Sequence, residues 1–207
     1  MREDLTKMKP KLSFFIASLL LLAGGATAQN RLQPMSLSEY RLWGEKSFGP
    51  WLSENASQQM LKFPSPMEAF PSALYVYRGY GESVRLQAKW CTVNKDAAPG
   101  EARLKQDSID IKTDDATALA FCELIEHAVG TCMFVGERMG FDGTRYFFGN
   151  RIRVATTWSP VGNSKRLTDV LEKAMTAVRN QNETELKALL PEVQSLTKEF
   201  EKLYPKD

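Results

Sequence analysis

The sequence predicts an α+β domain, and three observations carry that expectation. Two stretches alternate apolar and polar residues on either side of glycine-containing turns, as antiparallel hairpins do. Between them, residues 114–129 place apolar side chains at helical spacing, and the same periodicity returns from Leu167 to Leu203. The expected architecture is an antiparallel sheet of two hairpins with a buried central helix, an N-terminal helical segment and a C-terminal helical hairpin. A mostly helical domain with small β-elements is the second reading.

The chain opens on a segment that the folded domain is expected to lack. From Met8, Lys9 and Lys11 give a basic region, Leu12 to Ala23 an apolar run, and Gly24-Gly25-Ala26-Thr27-Ala28 a small-residue ending of A-x-A form. These are the three parts of a secretory signal peptide. The apolar run falls short of the roughly 20 residues a membrane-spanning helix needs. Residues 1–28 are therefore expected to be removed, with Met8 the better start because Glu3 and Asp4 do not suit a basic region. The absence of a cysteine at the cleavage site argues against a lipoprotein. Residues 29–207 are then one exported domain, periplasmic or secreted, with no transmembrane span after cleavage.

The remaining elements follow in order. Ser36-Leu37-Ser38-Glu39 has the form of a capping box, with a helix to Lys46. Gly49-Pro50 interrupts it, and a second helical stretch is expected from Trp51 to Leu61. Pro64, Pro66 and Pro71 keep the next segment extended or turning. Residues 73–90 form the first hairpin: Val84, Leu86, Ala88 and Trp90 share one face, and Cys91 lies on the polar face at the strand end. With Tyr80-Gly81 as a two-residue turn, Tyr77 faces Val84 and Tyr75 faces Leu86. Residues 94–106 read as a polar connection, with a short strand over 108–112. Thr113 or Asp114 then caps the central helix, whose apolar arc is Ala118, Ala120, Phe121, Leu124, Ile125, Ala128 and Val129. Residues 144–158 form the second hairpin. A Gly149-Asn150 turn sets Phe148 opposite Arg151 and Tyr146 opposite Arg153, an aromatic–arginine ladder. At the C-terminus, Asn180-Gln181-Asn182 breaks one helix and Asn182 with Glu185 starts another. That last helix carries a seam of Leu186, Leu189, Val193, Leu196, Phe200 and Leu203, with a kink or restart at Pro191.

Charge and cysteine content narrow the function classes. Removing residues 1–28 takes four of 27 basic and two of 25 acidic residues, leaving 23 of each. A balanced domain offers no global electrostatic case for nucleic acid. Three cysteines remain, Cys91, Cys122 and Cys132, an odd count that leaves one thiol after one bridge. Cys122–Cys132 is the expected pair, with Gly130 letting the chain reverse between them, and Cys91–Cys132 and Cys91–Cys122 are the alternatives.

No catalytic set assembles from the sequence. Cys122-x4-His127-x4-Cys132 resembles the last three ligand spacings of a zinc knuckle over eleven residues, but Leu119 stands where the first cysteine belongs. The helical wheel also separates Cys122 from His127 by about 140°, and tetrahedral ligands must converge. His127 is the only histidine, so any Cys–His or Ser–His–Asp chemistry depends on it, and it shares a polar face with Glu123. Glu123, Glu126 and Glu137 read as surface charge. No phosphate-binding glycine loop is present, so no cofactor or metal is expected.

The leading expectation is a non-catalytic exported protein of the bacterial envelope that binds a protein or another macromolecule, as inhibitors, immunity proteins and accessory subunits do. Tyr146, Phe148, Arg151 and Arg153 are the candidate contact residues, and the 186–203 seam could serve a dimer. A small envelope hydrolase acting on cell wall or glycan through carboxylates is the alternative. A periplasmic small-molecule binder with a pocket lined by Trp43, Trp51 or Trp90 is the third.

Overall fold

The computed structural model describes residues 32–36, 38, 53, 55–64, 70–79, 83–93, 104–133, 143–150 and 152–204. The fold is α+β: an antiparallel seven-stranded sheet with helices packed on one face. In chain order the strands are β1 (Gln33–Met35), β2 (Gln58–Phe63), β3 (Ser72–Tyr77), β4 (Arg85–Val93), β5 (Leu104–Lys112), β6 (Arg145–Gly149) and β7 (Val154–Trp158). The helices are α1 (Asp115–Gly130), α2 (Gly162–Arg179), α3 (Glu183–Ala188) and α4 (Leu190–Glu201). Spatial order is β1-β7-β6-β2-β3-β4-β5, so β6 returns from far along the chain to pair with β2.

Helix α1 forms where the apolar arc placed it. Asp114 caps it, its Oδ1 accepting the Thr117 backbone N–H at 2.8 Å. All seven residues of the expected arc are buried, against a sheet face carrying Met60, Leu74, Val76, Leu86, Ala88, Phe148 and Ala155. Val84 and Trp90 pack on this same core, as the alternation of β4 requires. A second cluster occupies the opposite sheet face: Leu61, Phe63, Ala73, Tyr75, Tyr77, Cys91, Phe147 and Val154. Strand β3 is buried at every position because it contributes to both.

Four expectations need correction. The helix expected over Trp51–Leu61 gives way from Gln58 onward to β2, a central strand bonded to both β3 and β6. Its alternation of Met60 with Leu61 and Phe63 serves two apolar faces, and pairing on both edges overrides local helix propensity. The first hairpin is shifted by one residue, with Val76 opposite Leu86 and Tyr77 opposite Arg85. A one-residue shift exchanges faces, which puts Val76 into the helix-side core and both tyrosines on the other face. The second hairpin closes through four residues, not two: Gly149 pairs with Val154, and Phe148 with Ala155. Strand β5 begins at Leu104, well before the expected 108, and runs the full length of β4.

The C-terminal reading holds. Asn182 caps α3 by accepting the Glu185 N–H at 3.0 Å, and the helix restarts at α4 with Pro191 in its first turn. Leu186, Val193, Leu196 and Phe200 are fully buried, and α4 packs on α1 and α2. The seam is consumed inside one chain, so it is not the free dimer surface that its heptad spacing allowed. The expected Ser36–Glu39 helix, apart from Ser36 and Ser38, lies outside the described residues, as does the leader segment. Among the described residues no helix is long and apolar enough to cross a membrane.

Candidate functional site

The aromatic–arginine ladder does not form on β6–β7. Asn150 controls this turn. Its Oδ1 accepts the backbone N–H groups of Ile152 and Arg153 at 2.8 and 3.0 Å, and its own N–H donates to the Arg153 carbonyl at 3.0 Å. Gly149 adopts a φ of 140°, and a Cβ there would run into that carbonyl. Two turn residues cannot satisfy these bonds, so Arg153 stays in the loop, not opposite Tyr146. Tyr146 and Phe148 stack inside the core with centroids 6.4 Å apart, at 7% and 0% exposure. Arg151 lies outside the described residues. Aromatic–cation pairing appears instead across β3–β4, with the Arg85 guanidinium 4.1 Å from the Tyr77 ring centre and Lys89 Nζ 5.8 Å from that of Tyr75.

Tyr146 takes part in a polar cluster that the sequence did not disclose. Its hydroxyl donates to Glu172 Oε1 of α2 at 2.5 Å, and Lys62 Nζ of β2 donates to Glu172 Oε2 at 2.7 Å. Burial and the Glu172 carboxylate hold the phenol well above its ordinary range, so it stays neutral. Both Glu172 oxygens have partners here, and the cluster ties α2 to the sheet.

The three cysteines are free thiols. Cys122 and Gly130 are eight residues apart within α1, about 12 Å along its axis, whereas bridged Cα atoms lie within about 7 Å. A Cys122–Cys132 bridge therefore requires unwinding the buried helix. Cys91 sits on the opposite sheet face from Cys122. Burial pushes the Cys122 thiol up to about 12, which leaves it protonated and unreactive. His127 faces Glu201, with Nε2 3.7 Å from Oε1, and meets the Tyr204 ring edge-on at 5.6 Å. It does not face Cys122. Among the described residues, no three His, Cys, Asp or Glu side chains converge as metal ligands.

One cleft among the described residues combines polar and apolar groups with an unmet hydrogen-bonding atom. It holds about 240 Å³ at the β6–β7 tip and is lined by Gln58, Glu126, Val129, Asn150, Ile152 and Arg153. Gln58 shares the helix-side face of β2 with Met60. Since Met60 pairs with Phe148, the strand register carries Asn150 to the level of Gln58. Glu126 and Val129 are one turn apart on α1 and close the opposite wall. Gln58 is 4% exposed, and its buried Oε1 has no hydrogen-bond partner among the described residues. Neither Glu126 nor Arg153 makes an ion pair among the described residues. Ile152 projects at the rim, 78% exposed.

Of the ladder's described residues, only Arg153 lines the cleft. Glu126, read from sequence as ordinary surface charge, lines it. Gln58 carried no signal, because its stretch resembled a helix. Trp90 is half-buried beneath the Arg179 guanidinium, 4.5 Å from its ring centre, and does not line this cleft. Trp43, Trp51 and Glu137 lie outside the described residues. Comparisons with known protein families, curated proteins and solved structures find no match.

Proposed function

We propose that this protein is an exported, non-catalytic component of the bacterial envelope that binds a macromolecular partner through the β6–β7 tip. Ile152 carries the reading. It is a large apolar side chain held in solvent by a well-bonded turn, next to Arg153, which makes no ion pair among the described residues, and to a cleft. An apolar residue and an arginine beside a small pocket are the ingredients of an interface hot spot. Export rests on the sequence from Met8 to Ala28. The cleft itself favours small-molecule binding as a second reading. A carboxylate hydrolase draws less support, since the cleft offers Glu126 without a facing second acid, and such enzymes use two.

A photo-crosslinking residue placed at position 152 of the full-length protein tests the proposal in intact cells. The expected result is a discrete adduct in the envelope fraction that disappears with Arg153→Ala while the melting temperature stays constant. An adduct indifferent to Arg153, or none, overturns it.

A further inference from the structure

We propose that the cleft at the β6–β7 tip binds an α-amino-acid head group, an ammonium and a carboxylate on one carbon. The assignment concerns the ligand of the cleft, which shares Ile152 and Arg153 with the proposed partner contact, and for the source of that ligand it rests on the envelope location proposed above. Three features of the lining lead to it. First, Gln58 Oε1 is a buried acceptor without a donor among the described residues, at a residue 4% exposed. A desolvated carbonyl oxygen left unmatched is unfavourable, and an entering N–H group relieves it. Second, Glu126 and Arg153 line the same small space with opposite charges, and neither makes an ion pair among the described residues. A guest with one sign of charge satisfies one of them and meets repulsion from the other. A zwitterion satisfies both: its ammonium between Glu126 and Gln58 Oε1, its carboxylate on Arg153. Third, Val129 and Ile152 supply apolar wall for a short aliphatic side chain.

Size agrees with this chemistry. About 240 Å³ is the room of about eight waters, and lies below the roughly 300–1,000 Å³ of pockets for larger ligands. A small amino acid fits, whereas a nucleotide or a disaccharide does not. Asn150 takes a positioning part. Its Oδ1 is committed to the backbone of Ile152 and Arg153, which fixes the loop that presents the guanidinium. The head group has two natural sources in the envelope: a free amino acid, or the exposed zwitterionic end of a diamino acid in a cell-wall stem peptide.

The test is a titration of the ¹⁵N-labelled full-length protein, followed by amide chemical shifts. The probes are L-alanine, N-acetyl-L-alanine, which lacks the ammonium, and L-alaninamide, which lacks the carboxylate. L-Alanine is expected to shift Glu126, Val129, Ile152 and Arg153 saturably. Each blocked probe is expected to bind at least about tenfold more weakly, because it leaves one charged wall unpaired. Glu126→Gln and Arg153→Gln, both at solvent-facing positions, should each weaken L-alanine by a similar factor. A meso-diaminopimelate-containing tripeptide separates the sources: tighter binding than L-alanine, still dependent on both residues, assigns the wall peptide, and weaker binding the free amino acid. Saturable shifts from neither ligand, equal binding of N-acetyl-L-alanine, or wild-type affinity in both variants overturns the proposal. Intact L-alanine binding with no crosslink at position 152 overturns the partner reading alone.

Discussion

Replacing Gln58 by leucine is expected to stabilise the protein while weakening binding in the cleft. The side chain is 4% exposed, and its Oε1 has no donor among the described residues. An unsatisfied buried polar atom costs about 1–3 kcal/mol. Leucine has nearly the same bulk, lies on the sheet face already occupied by Met60, and has Val129 across the cleft. Allowing for imperfect packing, the net gain is about 1–2 kcal/mol, the usual order for such a replacement. For a domain of this size that corresponds to a rise of about 2–8 °C in Tm. Urea denaturation provides the assay: the midpoint should rise with the slope unchanged, which separates a native-state gain from a change in the unfolded chain. Gln58→Ala serves as control, because it removes the same oxygen but leaves a void, and should not stabilise. If Gln58→Leu lowers stability by more than about 1 kcal/mol, the oxygen is hydrogen-bonded after all, and the reasoning about the cleft fails with it.

Other expectations follow from the same structure. Phe200→Ala, at a fully buried seam position, should cost about 3–5 kcal/mol, with a Tm independent of protein concentration if the seam packs within one chain. Asp114 is held at about 2 by the Thr117 backbone N–H and Lys187, against an ordinary 3.8. Its folded-state value is the lower one, so its contribution is complete above about pH 4 and fades as pH falls toward 2. Asp114→Asn should flatten the acid limb of a stability–pH curve over that interval, and an unchanged limb refutes the assignment. Alkylation of the purified, unfolded protein without reductant should label Cys91, Cys122 and Cys132 alike, by mass spectrometry. A product with two thiols protected contradicts the free-thiol arrangement.

The elements legible in the sequence are those whose information is local. Asp114, the seven-residue arc of α1, Asn182 and the Pro191 restart are where periodicity and capping placed them. A cap is decided within four residues and a helical face within two turns. Register was less legible. In the first hairpin the apolar alternation of β4 held, yet its partner slipped by one, because Tyr75, Val76 and Tyr77 are all acceptable on a strand buried on both faces. In the second, the side chain of Asn150 outweighed the glycine that suggested a tighter turn.

The sequence by itself determined the α+β class, the buried central helix and the amphipathic C-terminal helices. Each follows from side-chain periodicity and from hydrogen bonds between near neighbours. Only the tertiary structure decided that residues 58–63 form a central strand, since that depends on β3 and β6 meeting it from 10 and more than 80 residues away. The same long-range pairing carries Gln58 to the β6–β7 tip and to α1. An amide oxygen without a donor is a property of its surroundings, and no local pattern in the chain encodes it.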